Sequence, residues 1–151
     1  MKQGFLQRSL AAVAILALTS TAHARDTEHH LPWQDVLDMP QAKEKLDGSV
    51  QFFLAGAKTP KVLSRHGSVM SNRKTNGVGK ADEAGCKWAA LAALINFQER
   101  AKEAGANAVV DIVSYYKKDE FKSSTEYECH GGAVIIGVAL KGTLAKVALP
   151  K

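Results

Sequence analysis

The sequence predicts an α+β domain: one long helix packed on a mainly antiparallel sheet, in the order β-β-α-β-β, behind an N-terminal helical arm. Three observations predict it. Residues 82 to 104 carry apolar side chains at helical spacing with few charges. Ala108–Ser114 and Ala133–Leu140 are continuous runs of β-branched and small apolar residues. Glycines at 48, 56, 105 and 142 separate these segments.

The chain has 151 residues, 46% of them hydrophobic, which suits one small globular domain and not a disordered chain. Residues 1–24 read as an export signal. Lys2 and Arg8 form a positive start, Leu10 to Leu18 a short apolar core, and Ala22-His23-Ala24 a small-x-small cleavage site. That core is too short to span a bilayer, and no cysteine lies near the site to take a lipid. The expected product begins at Arg25 and is a soluble periplasmic or secreted protein, with an arm over 25–48 and the α+β domain over 49–149.

Two cysteines are present, Cys86 and Cys129. In an oxidising compartment an even pair in a small domain usually forms a disulfide. Closing a loop of roughly 44 residues, it would contribute about 4 kcal/mol in the chain-entropy account. The alternative is a reactive or metal-binding thiol pair. Lys2 and Arg8 account for two of the 20 basic groups, which leaves 18 against 15 acidic ones after cleavage. Six of these, Lys58, Lys61, Arg65, Arg73, Lys74 and Lys80, fall in a segment without an acid. They suit an anionic partner surface, or a solvated edge strand where lysines discourage edge pairing.

In the arm, Pro32 and Pro40 stand where first helical positions tolerate them, and Trp33, Val36, Leu37 and Leu46 are spaced to pack on the domain. His29-His30 reads as part of a solvated start, since two neighbours do not close a metal site without further ligands. Val50–Ala55 is a first strand. Lys61–Arg65 and Ser68–Ser71 form a second, interrupted by a bulge near His66-Gly67. Asn72–Lys80 is a loop. Its Gly77-Val78-Gly79-Lys80 fails as a nucleotide-binding loop, because Lys74 takes the first glycine position and Ala81 the magnesium-binding hydroxyl position.

Asp82 is the expected N-cap of the long helix, and Glu83 complements its N-terminus. One apolar stripe runs through Ala84, Trp88, Leu91, Ala92 and Ile95, another through Cys86, Ala90, Ala93, Phe97 and Ala101. A helix apolar over that arc lies between the sheet and the arm. Gly105 ends it. Ala108–Ser114 should be central, with Asp111 at a strand end or turned outward. Tyr115, Tyr116 and Phe121 either form an exposed patch or roof the sheet. In the last core strand Gly137 allows close packing on the helix, and Gly142 turns the chain into a short edge strand over Leu144–Leu149.

The run Gly105-Ala106-Asn107-Ala108-Val109-Val110 after the helix, and Cys129-x-x-x-Ala133-Val134-x-Ile136-Gly137-x-Ala139-Leu140 at the end, resemble the RcsF/YbjQ-like fold family. That family includes the periplasmic domain of an outer-membrane stress sensor and domains labelled putative heavy-metal-binding. The resemblance covers roughly 82–142, more loosely 48–142. It implies a disulfide between Cys86 and Cys129, which match a bonded pair in the sensor. The sensor's second disulfide would fall at Ser114 and Ile135 and is absent, as are the lipidated cysteine and the proline-rich tether. The whole chain also looks like small exported proteobacterial proteins often labelled "excinuclease ATPase subunit". Lacking a nucleotide loop and carrying an export signal, it is not expected to have either activity.

Three functions follow. The first is a non-catalytic envelope module that needs no cofactor, nucleotide or nucleic acid and binds an envelope protein or anionic surface. The second is a copper- or zinc-binding protein using Cys86, Cys129 and His130, with Glu126, Glu128 or His66 as further donors. The third is a thiol enzyme with Cys129 as nucleophile and His130 as base. Neighbours on a strand point to opposite faces, which argues against it.

Overall fold

In the computed structural model, which describes residues 23–150, the chain runs β1 (Thr27–Pro32), α1 (Trp33–Leu37), α2 (Pro40–Lys45), β2 (Gln51–Leu54), β3 (Val62–Asn76), α3 (Asp82–Glu103), β4 (Ala108–Ser114), a 3-10 turn (Tyr116–Lys118), β5 (Glu126–Gly131) and β6 (Ile135–Val147). This is the expected α+β class. All but Ala24 and His23 of the expected export signal lies outside the described residues. Among the described residues no helix is long and apolar enough to cross a membrane.

β6 is the strand every part of the sheet depends on. Along one edge it pairs antiparallel with β3 from Asn76↔Ile135 to Val62↔Val147. Its other edge is shared, with β5 at Ile136 and Gly137 and β4 from Leu140 to Ala145. β1 then pairs antiparallel with β5, and β2 pairs parallel with β4. The six strands form one curled sheet, β1-β5-β6-β4-β2 with β3 beside β6.

α3 covers the inner face of this sheet. Cys86, Ala90, Ala93, Leu94, Phe97 and Ala101 are all buried against Ile136, Val138 and Leu140. Burial of each large side chain among these stabilises the fold by roughly 1.5–3 kcal/mol. The small residues of the helix let it lie close to the strands: a side chain on Gly85 would come within 2.4 Å of Ile136 Cδ1. α1 lies against α3 through Trp33 and Val36, so the helix is sandwiched as its composition predicts. Curling of the sheet makes a smaller second core on its outer face from Ala108, Val110, Ala145 and Val147 with Phe53 and Val62.

Several elements differ from the sequence reading. The helix stripe through Cys86 is buried throughout, whereas Ala84 and Trp88 of the other stripe are exposed, Trp88 at 43%. α3 begins one residue after its N-cap Ala81, and Asp82 caps no backbone N–H. The bulge near His66-Gly67 is present, but β3 continues through polar residues to Asn76, so the loop starts only at Gly77. Gly142 turns nothing. It lies inside β6, opposite β4, where an added Cβ would meet Val109 Cγ1 at 2.7 Å. Gly137, expected against the helix, faces the outer side, with Lys74 Cγ its nearest side-chain neighbour. Asp111 points outward, half exposed, and pairs with Arg65 across β6 at 2.8 Å.

Candidate functional site

The first residues after the expected cleavage site do not form a solvated arm. They form β1, and its register on β5 decides the chemistry of one surface. Glu28 stands opposite His130, and His30 opposite Glu128. Because side chains alternate across a strand, these four share the outer face while His29, Leu31, Tyr127 and Cys129 face the helix. Two copies of Glu-x-His, Glu28-His29-His30 and Glu128-Cys129-His130, thus meet antiparallel as a checkerboard of carboxylates and imidazoles.

The checkerboard is tightly bonded. His130 Nε2 lies 2.9 Å from Glu128 Oε1, and its Nδ1 lies 2.8 Å from Asp26 Oδ1. His30 Nε2 lies 2.9 Å from Glu28 Oε1 and 3.8 Å from Glu128 Oε2. Each imidazole is also covered by an aromatic ring. Tyr116 stacks on His130 at 3.5 Å between centroids, and Phe121 on His30 at 4.0 Å. Tyr116 and Phe121 therefore roof this face, while Tyr115 sits under Lys141 Nζ. The hydrogen bond from His130 holds the Asp26 carboxyl below the usual carboxylate range, with Lys117 adding to it and burial opposing.

The same register builds a groove beside the checkerboard. Lys74, Gly137, His130 and Glu28 are successive partners across β3, β6, β5 and β1. They form one transverse row of about 14 Å, at roughly 4.8 Å per strand. Gly137 leaves the middle of the row without a side chain, and there a groove of about 780 Å³ opens between Lys74, Tyr116, Lys117, His130 and the exposed Val134 and Ile135.

On the inner face of the same two strands, Cys86 and Cys129 form the disulfide, tying α3 to β5. Both are fully buried. The metal set Cys86, Cys129 and His130 is therefore not assembled: the sulfurs are bonded to each other and His130 is on the opposite face. In the disulfide Cys129 has no free thiol to act as a nucleophile. His66 is remote from the cluster, exposed on β3 and bonded to Ser64 Oγ. Glu128 does belong to the cluster. Of the six basic candidates, Lys74 alone lines the groove, and Arg65 is engaged by Asp111. The others are exposed, with Lys61 and Lys74 about 40 Å apart at roughly 3.3 Å per strand residue. They do not converge on one spot. Sequence reasoning missed Glu28 and Asp26 and set His30 aside as solvated, and the repeated Glu-x-His was the available signal.

β1 is anchored at the N-terminus of α3. Asp82 accepts from Arg25 Nη2 at 2.7 Å and lies 2.9 Å from His29 Nε2, in space left by Gly131, where a Cβ would come within 2.3 Å of its carboxylate. The guanidinium of Arg25, and then His29, hold the Asp82 carboxyl below the usual carboxylate range. A carboxyl depressed by folding contributes stability above its unfolded pKa, about 3.9, and loses it as pH falls through the lower folded value. Asp82→Asn should therefore unfold more readily than the parent at pH 7, with the two urea curves converging below about pH 3. Parallel curves at both pH values would show that the anchor is not ionic.

No protein-family model matches the chain, and no curated protein matches it.

Proposed function

We propose that this protein is a non-catalytic exported module of the cell envelope that holds a partner against the outer face of its sheet. The observation that carries the reading is the transverse row Lys74–Gly137–His130–Glu28, which places a cation, a bare floor and a histidine along one groove, with the Glu28 carboxylate beyond its end. The buried Cys86–Cys129 bond beneath it fits an oxidising compartment and keeps the platform rigid. Its resemblance to the RcsF/YbjQ-like family also supports an envelope role. The partner is an envelope protein or an anionic surface, met through Lys74 and Lys117 at the groove and by the basic edge of β3.

The test is site-specific photo-crosslinking in cells. A photoreactive residue replacing Val134, which is exposed at the groove, should give one discrete adduct whose partner mass spectrometry identifies. The same residue at Glu44, on α2 away from the groove, should give none. Lys74→Glu combined with Lys117→Glu should abolish the adduct while the protein stays folded. Equal adducts from both positions, or none from the groove, would sink the reading.

A further inference from the structure

We infer that the checkerboard is a binding site for a first-row divalent cation of the zinc type, held by Glu28, Glu128 and His130 with His30 as fourth donor. The inference deepens the proposed function by naming a ligand for the same face, and it rests on that face being the one used for binding.

Three features of the geometry carry it. First, Glu28, Glu128 and His130 each offer a ligand atom, and these atoms lie within 4.8 Å of one another. His30 Nε2 lies beside this trio rather than within it, 2.9 Å from a Glu28 oxygen and 3.8 Å from a Glu128 oxygen. Ligand atoms of a tetrahedral zinc ion with bonds of about 2.0–2.1 Å stand about 3.3 Å apart, so the trio would draw together and His30 swing in to close the site.

Second, His130 is positioned as metal-bound histidines are. Its Nδ1 is held by the Asp26 carboxylate at 2.8 Å, which is the outer-shell carboxylate–histidine arrangement, and its Nε2 points into the cluster. Both ring nitrogens face carboxylate oxygens, whereas a neutral imidazole has a single N–H. One of the two contacts therefore needs a further positive partner, a proton or a metal ion. Third, two of the four donors are held in place, while Glu28 and His30 are 55% and 38% exposed. Glu128 and His130 side chains are only 12% exposed, they sit on paired strands, and Tyr116 and Phe121 clamp the two imidazoles by stacking.

The donor set also selects the metal. Two imidazoles with two carboxylates suit Zn²⁺ and its neighbours Ni²⁺ and Cu²⁺; Ca²⁺ and Mg²⁺ favour oxygen alone, and Cu⁺ favours sulfur. Because two donors come from β1 and two from β5, the ion would staple the N-terminal strand to the sheet from outside, as the disulfide fixes β5 to α3 from inside.

The experiment titrates metal-stripped, disulfide-bonded protein with zinc chloride, read by calorimetry, native mass spectrometry and thermal unfolding. One Zn²⁺ per chain is expected, with an upward shift of Tm. Glu128→Gln and His130→Asn should each weaken binding at least tenfold. Asp26→Asn, which removes only the outer-shell partner, should weaken it by about 10–100-fold. His66→Ala should bind as the parent does, and a large excess of Ca²⁺ or Mg²⁺ should not compete. Circular dichroism and an unchanged metal-free Tm certify that each variant is folded. Failure of stoichiometric binding, full affinity in the Glu128→Gln/His130→Asn double variant, or displacement by Ca²⁺ would overturn the site. Photo-crosslinking from position 134 in the presence of a zinc chelator separates this failure from that of the partner reading. An adduct without zinc binding leaves the groove as a docking face, and zinc binding without an adduct removes the partner and keeps the metal.

Discussion

Removing the disulfide should be among the largest losses of stability any two substitutions can produce in this chain. The Cys86→Ala/Cys129→Ala variant is expected to lose about 4 kcal/mol, within a range of roughly 2–5 kcal/mol, because the bond closes a long loop in the unfolded chain. For a domain of this size that corresponds to a fall in Tm of about 15 °C. The sequence separation of 43 residues spans all of β4 and most of α3, so its restriction of the unfolded ensemble is substantial. Urea unfolding of the oxidised protein, the reduced protein and the variant measures it. A difference below about 1 kcal/mol between oxidised and reduced forms would mean that the two cysteines contribute packing alone.

Gly142→Val is expected to be nearly as severe, at about 3 kcal/mol, toward the upper end of what overpacking costs. An added Cβ would stand 2.7 Å from Val109 Cγ1, 3.1 Å from Ile112 Cγ1 and 3.3 Å from the Val110 carbonyl oxygen. All three belong to β4, which cannot withdraw without breaking its ladder to β6. Pairing Gly142→Ala with Val109→Ala should recover part of the loss, since the second change removes the nearest atom. Gly137→Val, five residues earlier in β6 and on the open outer face, should cost less than about 1 kcal/mol or even stabilise the strand. Similar urea midpoints for the Gly137 and Gly142 valine variants would refute the packing argument.

The elements legible in the sequence are those whose burial is continuous. α3 and β4 are apolar over most of their length, and composition alone identifies them. Cys86 and Cys129 were legible as a pair for a different reason, being even in number in a chain whose first residues read as an export signal. β1 was not, because Thr-Glu-His-His-Leu-Pro has one apolar residue and even its inward His29 is satisfied by a hydrogen bond with Asp82. β5 was hidden likewise: its outward positions are charged, and its inward ones are a tyrosine, a cysteine and a glycine. Periodicity of hydrophobicity detects neither strand, and the site lies where they meet. The long strands β3 and β6 were cut short by local signals, polar residues in one and Gly142 in the other. Those signals carry a different meaning in the folded sheet. Polarity on β3 follows from its free edge, and Gly142 from the closeness of Val109 and Ile112.

The order of the strands along the chain has a consequence for the export proposed above. β6 supplies the backbone partners of β3, β4 and β5, yet residues 135–147 follow all three in the chain. Until that segment is available, β3 has no neighbour, β4 has only the four residues of β2, and β5 has only β1. Isolated two-stranded pieces of this kind are marginal at best in water. A growing chain therefore cannot close its sheet before its final strand is free. Premature folding, the usual obstacle to passage through a narrow translocation pore, is thus disfavoured by topology itself.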